Sequence, residues 1–184
     1  GKRMDGNWES PFNPLAVGRA YTEATAWQYR FFVPHDVNGM IQLFGGKEEF
    51  VAALDDIFNT DAEIHGNLVD ITGLIGQYVH GNEPSHHIAY LYNYVGEPWK
   101  TQKMSRRLLN EMYHPTPEGI IGNEDCGQMS AWYILSSMGL YSVCPGSNEY
   151  VLTTPLFEKV VVHLANGRTL TILANDPQKN IYIT

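Results

Sequence analysis

The sequence is poor in cysteine and charge, and it lacks basic runs and long apolar runs. Its 184 residues include two cysteines and 17% charged residues, with a formal net charge of −8. The absence of a basic stripe argues against nucleic acid and anionic membrane surfaces as partners. No apolar run is long enough to span a bilayer, and no signal-peptide pattern opens the chain. What the chain does have is a 12% aromatic fraction, which is typical of a packed globular protein.

Zinc and nucleophilic hydrolase motifs are also missing. Cys126 and Cys144 do not form a Cys-x-x-Cys pair, so they would either pair in an oxidising compartment or remain as two free, buried thiols, which we expect. The histidines from His80 to His87 do not follow His-Glu-x-x-His spacing, and Pro84 interrupts any helix that would carry them. No Ser or Cys lies in a nucleophile elbow. A zinc hydrolase or a catalytic triad is therefore a remote alternative.

The hydrophobic pattern predicts a mainly α protein that ends in a small β segment. Apolar residues recur at helical spacing between Gly, Pro and Asn loops, and the predicted helices are 47–58, 66–79, 84–94, 98–113 and 126–141. The segment 22–33 could be a helix or a buried strand, and its Thr22-x-x-Thr25 start favours the helix. Such a string is typical of stacked helical hairpins, as in a solenoid or an α/α barrel. After Pro145 the pattern alternates, and Asn166-Gly167 predicts a hairpin turn. We assign 1–147 to helices and 148–184 to an antiparallel sheet.

Polar side chains are concentrated where loops enter these helices. Glu83, Asn123 and Asp125 stand at or near predicted helix starts, where acids and amides serve as caps. His86 and His87 would be core histidines with hydrogen-bond partners, or contacts to a ligand. Carboxylates with flanking aromatic side chains are also what glycoside hydrolysis needs. From the residues alone, both interpretations remain open.

Three long strings identify a family. The segments AWQYRFFVPHDVNGMIQLFGG, HGNEPSHHIAYLYNYVGEPWKTQ and GIIGNEDCGQMSAWYILSSMGLYSVCPG resemble the C-terminal part of bacterial α-mannosidases of glycoside hydrolase family 92. The resemblance implies an N-terminal β-sandwich followed by an (α/α)6 barrel, of which this chain holds the later helices. It also implies a secreted or periplasmic parent protein that removes terminal α-linked mannose from glycans, with inversion and with Ca2+. We expect the chain alone to be inactive.

The resemblance assigns roles to individual residues. Glu23 matches the general acid, Asp125 the general base, and Glu83 the calcium ligand. The side chains expected to contact the sugar are Trp27, Gln28, Asn82, His86 and Asn123.

Two departures from the family pattern affect these roles. Asn123 stands where a second Asp is common, and this leaves Asp125 as the base. Asn82 stands where α-1,2-specific members tend to have His, so the linkage is not fixed by the resemblance. The alternative function is a non-catalytic carbohydrate-binding or structural helical module.

Overall fold

The computed structural model describes residues 2–18, 20–61 and 70–184. The chain divides into two compact units, the first made of residues 1–88 and 121–123 and the second of 89–120 and 124–184. Within the described ranges, helices predominate and the sheets are small, antiparallel and two-stranded. The prediction of a mainly α protein with a small β part is thereby confirmed. No helix in those ranges is long and apolar enough to cross a membrane.

The first unit is organised around a cluster of phenylalanines. The rings of Phe31 and Phe44 stack with centroids 5.5 Å apart, and Phe50 meets both rings edge-on. Burial of such aromatic side chains is the main favourable term in folding. The elements around this core are α1 (Ala26–Tyr29), α2 (Val37–Leu43), α3 (Lys47–Asn59), β1 (Leu74–Ile75), β2 (Tyr78–Val79) and a first 3₁₀ helix (Glu83–Ser85).

Helix α3 confirms its prediction because its sequence pattern is complete. Phe50, Leu54 and Ile57 recur at helical spacing and are fully buried. Glu48 and Glu49 lie in the first turn, where negative charge is favourable. Helix α2 was not predicted, since its central glycine weakens the pattern. It begins at Asp36, whose carboxylate accepts a hydrogen bond from the Gly39 amide at 2.8 Å.

The predicted helix 66–79 is wrong over its described residues, 70–79. These residues form the β1–β2 hairpin, with Ile75 opposite Tyr78 across a two-residue turn. Gly73 and Gly76 have φ of +64° and +58°, a conformation that no α-helix contains. The turn also packs against the end of α3, where the Gln77 amide donates to the Ile57 carbonyl at 2.7 Å. Tertiary contact therefore overrides the apolar spacing. The rest of the predicted helix lies outside the described residues.

The predicted helices at 22–33 and 84–94 are shorter or tighter than expected. Only Ala26–Tyr29 is α-helical in the first range. In the second range, two 3₁₀ helices replace one α-helix, Glu83–Ser85 and Ile88–Val95.

The second unit contains a core of stacked aromatic rings. The Tyr90 and Tyr141 rings stack at 4.1 Å, and those of Tyr113 and Trp132 stack at 5.7 Å. Trp132 is 1% exposed, in agreement with its predicted place in the core. The elements of this unit that follow the second 3₁₀ helix are α4 (Pro98–Glu111), α5 (Gln128–Ser137), β3 (Leu140–Tyr141), β4 (Val151–Leu152), β5 (Lys159–His163) and β6 (Thr169–Leu173).

The predicted antiparallel sheet at 148–184 is replaced, in the described residues, by two separate antiparallel pairs. Strands β5 and β6 form the hairpin that Asn166-Gly167 predicts, with Val161 opposite Thr171. Strand β4 pairs instead with β3, which immediately follows α5 and lies before residue 148. The β segment is thus joined to the helical part through a shared ladder.

Candidate active site

Glu23 lies on a turn that directly precedes α1. We call residues 22–25 the Glu23 turn. Glu23 is exposed and has φ of +56°, which is uncommon for a residue with a side chain. Within the described part of the chain, its carboxylate has no hydrogen bond or salt bridge. Helix α1 is capped by Thr25 and Gln28, so Glu23 is not needed as a cap.

The two predicted sugar contacts on α1 differ in accessibility. Gln28 is 0% exposed, and its Oε1 accepts from the Thr25 amide at 2.7 Å and from the Thr25 hydroxyl at 2.8 Å. A direct sugar contact would require Gln28 to leave these partners, and its role as a contact stays a prediction. Trp27 lines a cavity of about 360 Å³ together with Tyr21 and Tyr29. The guanidinium of Arg30 lies 4.4 Å from the centre of its indole.

A hydrogen bond connects the Glu23 turn to the loop at residues 80–83. The side-chain amide of Asn82 donates from Nδ2 to the Glu23 carbonyl oxygen at 2.9 Å. Asn82 is 4% exposed, so this bond is shielded from water. Glu83 follows at the start of the first 3₁₀ helix and is half-buried. The predicted acid and the predicted calcium ligand are therefore held in one locality of the first unit.

The segment 121–123 joins the same locality through two glycines. A Cβ atom on Gly122 would lie 2.5 Å from the Gly81 carbonyl oxygen, a distance that no real side chain tolerates. Gly122 also has φ of +77°, which glycine adopts freely. Asn123, which is exposed, therefore follows a backbone-to-backbone contact with the 80–83 loop.

The side chains of His80, His86 and His87 are buried and bonded to neighbouring groups. His80 Nδ1 lies 2.8 Å from the Tyr78 hydroxyl, and His86 Nε2 lies 2.9 Å from the His80 carbonyl oxygen. His87 Nε2 lies 2.7 Å from the Phe31 carbonyl oxygen. Burial, with a smaller contribution from His86, lowers the pKa of His80 to about 3. Burial also lowers the pKa of His87, although its bond to Phe31 opposes the shift.

These contacts favour the core interpretation of the histidines. His86 is 2% exposed, so a sugar would reach it only after the loop opens. Its role as a substrate contact stays a prediction.

Asp125 lies in the second unit on a turn that directly precedes α5. We call residues 124–127 the Asp125 turn. Asp125, Cys126 and Gly127 have φ of +48°, +57° and +91°, three left-handed residues in succession. Asp125 is exposed, and in the described ranges its carboxylate has no hydrogen bond or salt bridge. The N-cap of α5 is Gly127, without a side-chain cap, so the capping alternative is wrong for Asp125.

The two cysteines are free, and Cys126 is exposed rather than buried as expected. Cys144 is partly exposed.

Sequence reasoning missed Glu124. Its carboxylate accepts hydrogen bonds from the Ser130 amide at 3.0 Å and from the Ser130 hydroxyl at 2.6 Å. These bonds hold the pKa of Glu124 below its usual value. The sequence did contain a signal for this contact. Glu124 precedes Ser130 by six residues, and Ser130 lies near the start of a predicted helix.

The 80–83 loop contains oxygen ligands of the kind that Ca2+ prefers, but only enough for part of a site. Ca2+ takes six to eight oxygen ligands from carboxylates, amides and carbonyls. The loop offers the Glu83 carboxylate and the amide oxygen of Asn82. In residues 2–18, 20–61 and 70–184, however, no group of three or more His, Cys, Asp or Glu side chains could hold a metal. A complete coordination shell therefore needs ligands beyond these side chains.

Comparison with known proteins gives consistent results at the level of the family. The model of the glycosyl hydrolase family 92 catalytic domain matches residues 1–184. A family GH92 α-mannosidase from Bacteroides thetaiotaomicron, solved in complex with mannoimidazole, is 42% identical, with a TM-score of 0.88 over 96% of this chain. A family GH92 inverting mannosidase from the same species is 38% identical, with a TM-score of 0.79 over 94% of this chain.

A curated relative comes from the fungus Arthroderma benhamiae. It is described as an uncharacterized secreted glycosidase and is 33% identical over 165 residues, 88% of this chain. The chain spans 19% of that protein, and 24% and 25% of the two Bacteroides structures.

Proposed function

The chain belongs to glycosyl hydrolase family 92, and on that premise we propose that it carries the acid and the base of an inverting exo-α-mannosidase. The substrate would be a glycan with a terminal, non-reducing α-linked mannose. The α-1,2 linkage or another α-linkage of N-glycans and mannans would be cleaved, and Asn82 leaves this choice open. The chain would be the C-terminal part of an (α/α)6 barrel domain, in a secreted or periplasmic protein that also contains a β-sandwich.

One observation carries this proposal. Glu23 and Asp125 are both exposed, both have positive φ, and neither carboxylate has a side-chain or backbone partner within the described ranges. Strained residues of this kind persist where the surrounding structure holds them, and they cluster at active sites, ligand clamps and switch regions. Neither residue caps the helix that follows it.

The proposed chemistry uses the two carboxyl groups in different protonation states. Glu23 would be protonated and would give its proton to the leaving glycosidic oxygen as the bond to the anomeric carbon breaks. Asp125 would be ionised and would take a proton from the water that attacks the opposite face of the sugar. Inversion requires room for this water between the two groups. Glutamate at position 23 suits an ordinary sugar leaving group, which needs a proton.

Calcium would bind at the 80–83 loop, with Glu83 as a ligand and with further ligands from the rest of the enzyme. A bound divalent cation can hold the hydroxyl groups of a sugar and favour a distorted ring. Trp27 would lie beside the sugar from α1, and Asn123 from the segment that contacts Gly81. Gln28 and His86 would support the site from within the core, through the bonds described above.

The experiment compares Glu23→Gln and Asp125→Asn in the complete enzyme on two substrates. On α-linked mannobioses, each variant should lose about 10²- to 10⁴-fold in turnover, and chelation with EDTA should stop the wild type. On an activated nitrophenyl α-mannoside, whose leaving group needs no proton, Glu23→Gln should recover while Asp125→Asn should not. The exposed variant Glu118→Gln serves as the control and should match the wild type.

Two results would overturn the proposal. Release of the α-anomer of mannose as the first product would exclude inversion. Wild-type turnover by Glu23→Gln on mannobioses would instead favour a non-catalytic carbohydrate-binding module. We also expect no turnover from the 184-residue chain alone, because it spans about a quarter of the solved α-mannosidases.

A further inference from the structure

The Asp125 turn is an unusual way to begin a helix. Three successive residues in the left-handed region reverse the ordinary path of the chain, and only Gly127 adopts this conformation without steric cost. The Gln128 amide closes the turn by donating to the Asp125 carbonyl at 3.1 Å. Something must hold Asp125 and Cys126 in place, since both carry side chains that disfavour positive φ.

Glu124 supplies that restraint through both its main chain and its side chain. Its carbonyl accepts from the Met129 amide at 3.2 Å. Its two carboxylate oxygens take the amide and the hydroxyl of Ser130, at 3.0 and 2.6 Å. The Ser130 amide lies in the first turn of α5, where it has no acceptor within the helix and Gly127 has no side chain to offer. We call this set of bonds the Glu124 clamp.

The clamp also separates the roles of two adjacent carboxylates. Both carboxylate oxygens of Glu124 accept hydrogen bonds from Ser130. The Asp125 carboxylate has no hydrogen-bond or salt-bridge partner within the described ranges, so its two oxygens remain open to a water molecule. Of the two neighbours, only Asp125 is presented for proton transfer.

We infer that Glu124 is a positioning residue that fixes the Asp125 carboxylate in its working orientation by clamping the turn to Ser130. This inference deepens the proposed function and rests on Asp125 being the base. Glu124 would touch neither the sugar nor the attacking water. Its effect would pass entirely through the geometry of Asp125, and small displacements of a catalytic group can cost two orders of magnitude in rate.

The test is a double-mutant cycle in the complete enzyme, with turnover of a mannobiose as the readout. Glu124→Ala should lower kcat about 10- to 100-fold with KM nearly unchanged, and Ser130→Ala about three- to tenfold. Glu124→Gln, which keeps an acceptor oxygen but not the charge, should fall between these variants and the wild type. In the Asp125→Asn background, Glu124→Ala should produce no further loss. Glu118→Gln, an exposed carboxylate outside the turn, is the matched control.

The outcomes separate the clamp from the assignment of the base. Equal losses from Glu124→Ala in both backgrounds, or no loss in the wild-type background, would overturn the clamp. Wild-type turnover by Asp125→Asn would overturn the proposed function, and the clamp with it, because no base would remain to be positioned. Ser130→Ala removes a single hydroxyl, so it keeps the cycle interpretable even when Glu124→Ala lowers the yield of folded enzyme. Calcium affinity, measured on the same variants, should not change.

Discussion

The Glu23 turn and the Asp125 turn look alike but are held in different ways. Each presents an exposed carboxylate from a left-handed residue just before a helix. The Glu23 turn is held from a distance, by the side chain of Asn82, 59 positions away in the sequence. The Asp125 turn is held locally, by Glu124 and Ser130, which are six positions apart.

This difference has a physical consequence for each turn. A local clamp forms together with the helix that it precedes, because the ordering cost of a six-residue segment is small. A distant tether forms only when the whole first unit is folded, since it needs the 80–83 loop in place. The Glu23 turn should therefore be the more sensitive of the two to changes elsewhere in the chain. Three predictions test this contrast. Each is to be measured on the complete enzyme.

The largest effect is expected from Gly122→Ala. The new methyl group would meet the Gly81 carbonyl at 2.5 Å and force the 121–123 segment away from the 80–83 loop. Overpacking together with a disfavoured φ should cost about 3 kcal/mol, seen as a lower thermal midpoint and weaker calcium binding.

The control for Gly122→Ala is Gly167→Ala in the β5–β6 turn. Gly167 has a similar φ of +79° but no atoms within 4 Å of an added Cβ. It should cost only about 1 kcal/mol. Equal effects of the two substitutions would contradict the close-approach argument.

An intermediate effect is expected from Asn82→Ala, which removes the donor to the Glu23 carbonyl. Turnover of mannobioses should fall about 10- to 100-fold, because Glu23, the proposed acid, loses its orientation. An activated nitrophenyl α-mannoside should be affected much less, since it needs no proton from Glu23. Variants of the Glu124 clamp should instead impair both substrates alike, which sharpens the comparison. Asn110→Ala, on the exposed side of α4, is the matched control.

One result would break this interpretation of Asn82. If Asn82→Ala raises KM equally for both substrates and leaves kcat unchanged, then Asn82 contacts the sugar, as the sequence suggested. The tether would then be incidental.

The smallest effect is expected from pH, and it should be confined to the first unit. The folded-state pKa of His80 is about 3, below the ordinary value of 6.5, so the unfolded state binds more protons in acid. Stability from this residue is complete above about pH 6.5 and is lost progressively as the pH falls toward 3. His87 contributes in the same direction, because its pKa is also lowered.

Hydrogen exchange of the amides in 78–88, corrected for intrinsic rates, measures this pH effect directly. Opening should become easier between pH 7 and pH 5, and more so than for the amides of α5. A substitution of the exposed His163 by Gln is the control and should leave the difference unchanged. An equal acid response of both units would contradict the assignment of the effect to His80 and His87.

The sequence predicted those elements whose pattern is locally complete. Helix α3, helix α4 and the β5–β6 hairpin each have consistent spacing, a suitable first residue or a suitable turn, and all three are present. The helix predicted for 70–79 was wrong because Gly73 and Gly76 adopt positive φ, and because the turn that precedes Tyr78 bonds to Ile57, about 20 residues earlier in the chain. No local pattern contains that information.

The candidate site shows the same division. Glu23 and Asp125 were identified through the family resemblance, and their exposure and freedom from capping agree with that role. Their left-handed backbone could not be predicted, because glycine is the residue that signals this conformation and neither Glu23 nor Asp125 is a glycine. The resemblance placed His86 at the sugar, while the residues alone left a core role open for His86 and His87. The ring nitrogens of His80, His86 and His87 lie against backbone carbonyls and a tyrosine hydroxyl, which agrees with the core role. Burial of that kind depends on the packed tertiary structure.

The hydrogen bond from Asn82 to Glu23 would also couple cation binding at Glu83 to sugar binding at the Glu23 turn, and such a coupling acts equally in both directions. If a cation at Glu83 orders the 80–83 loop and thereby the Glu23 turn, an occupant of the Glu23 turn must tighten cation binding by the same factor. Titrating calcium in the presence and absence of a leaving-group sugar would then return one coupling constant from either direction. A single buried amide group would set the size of that constant.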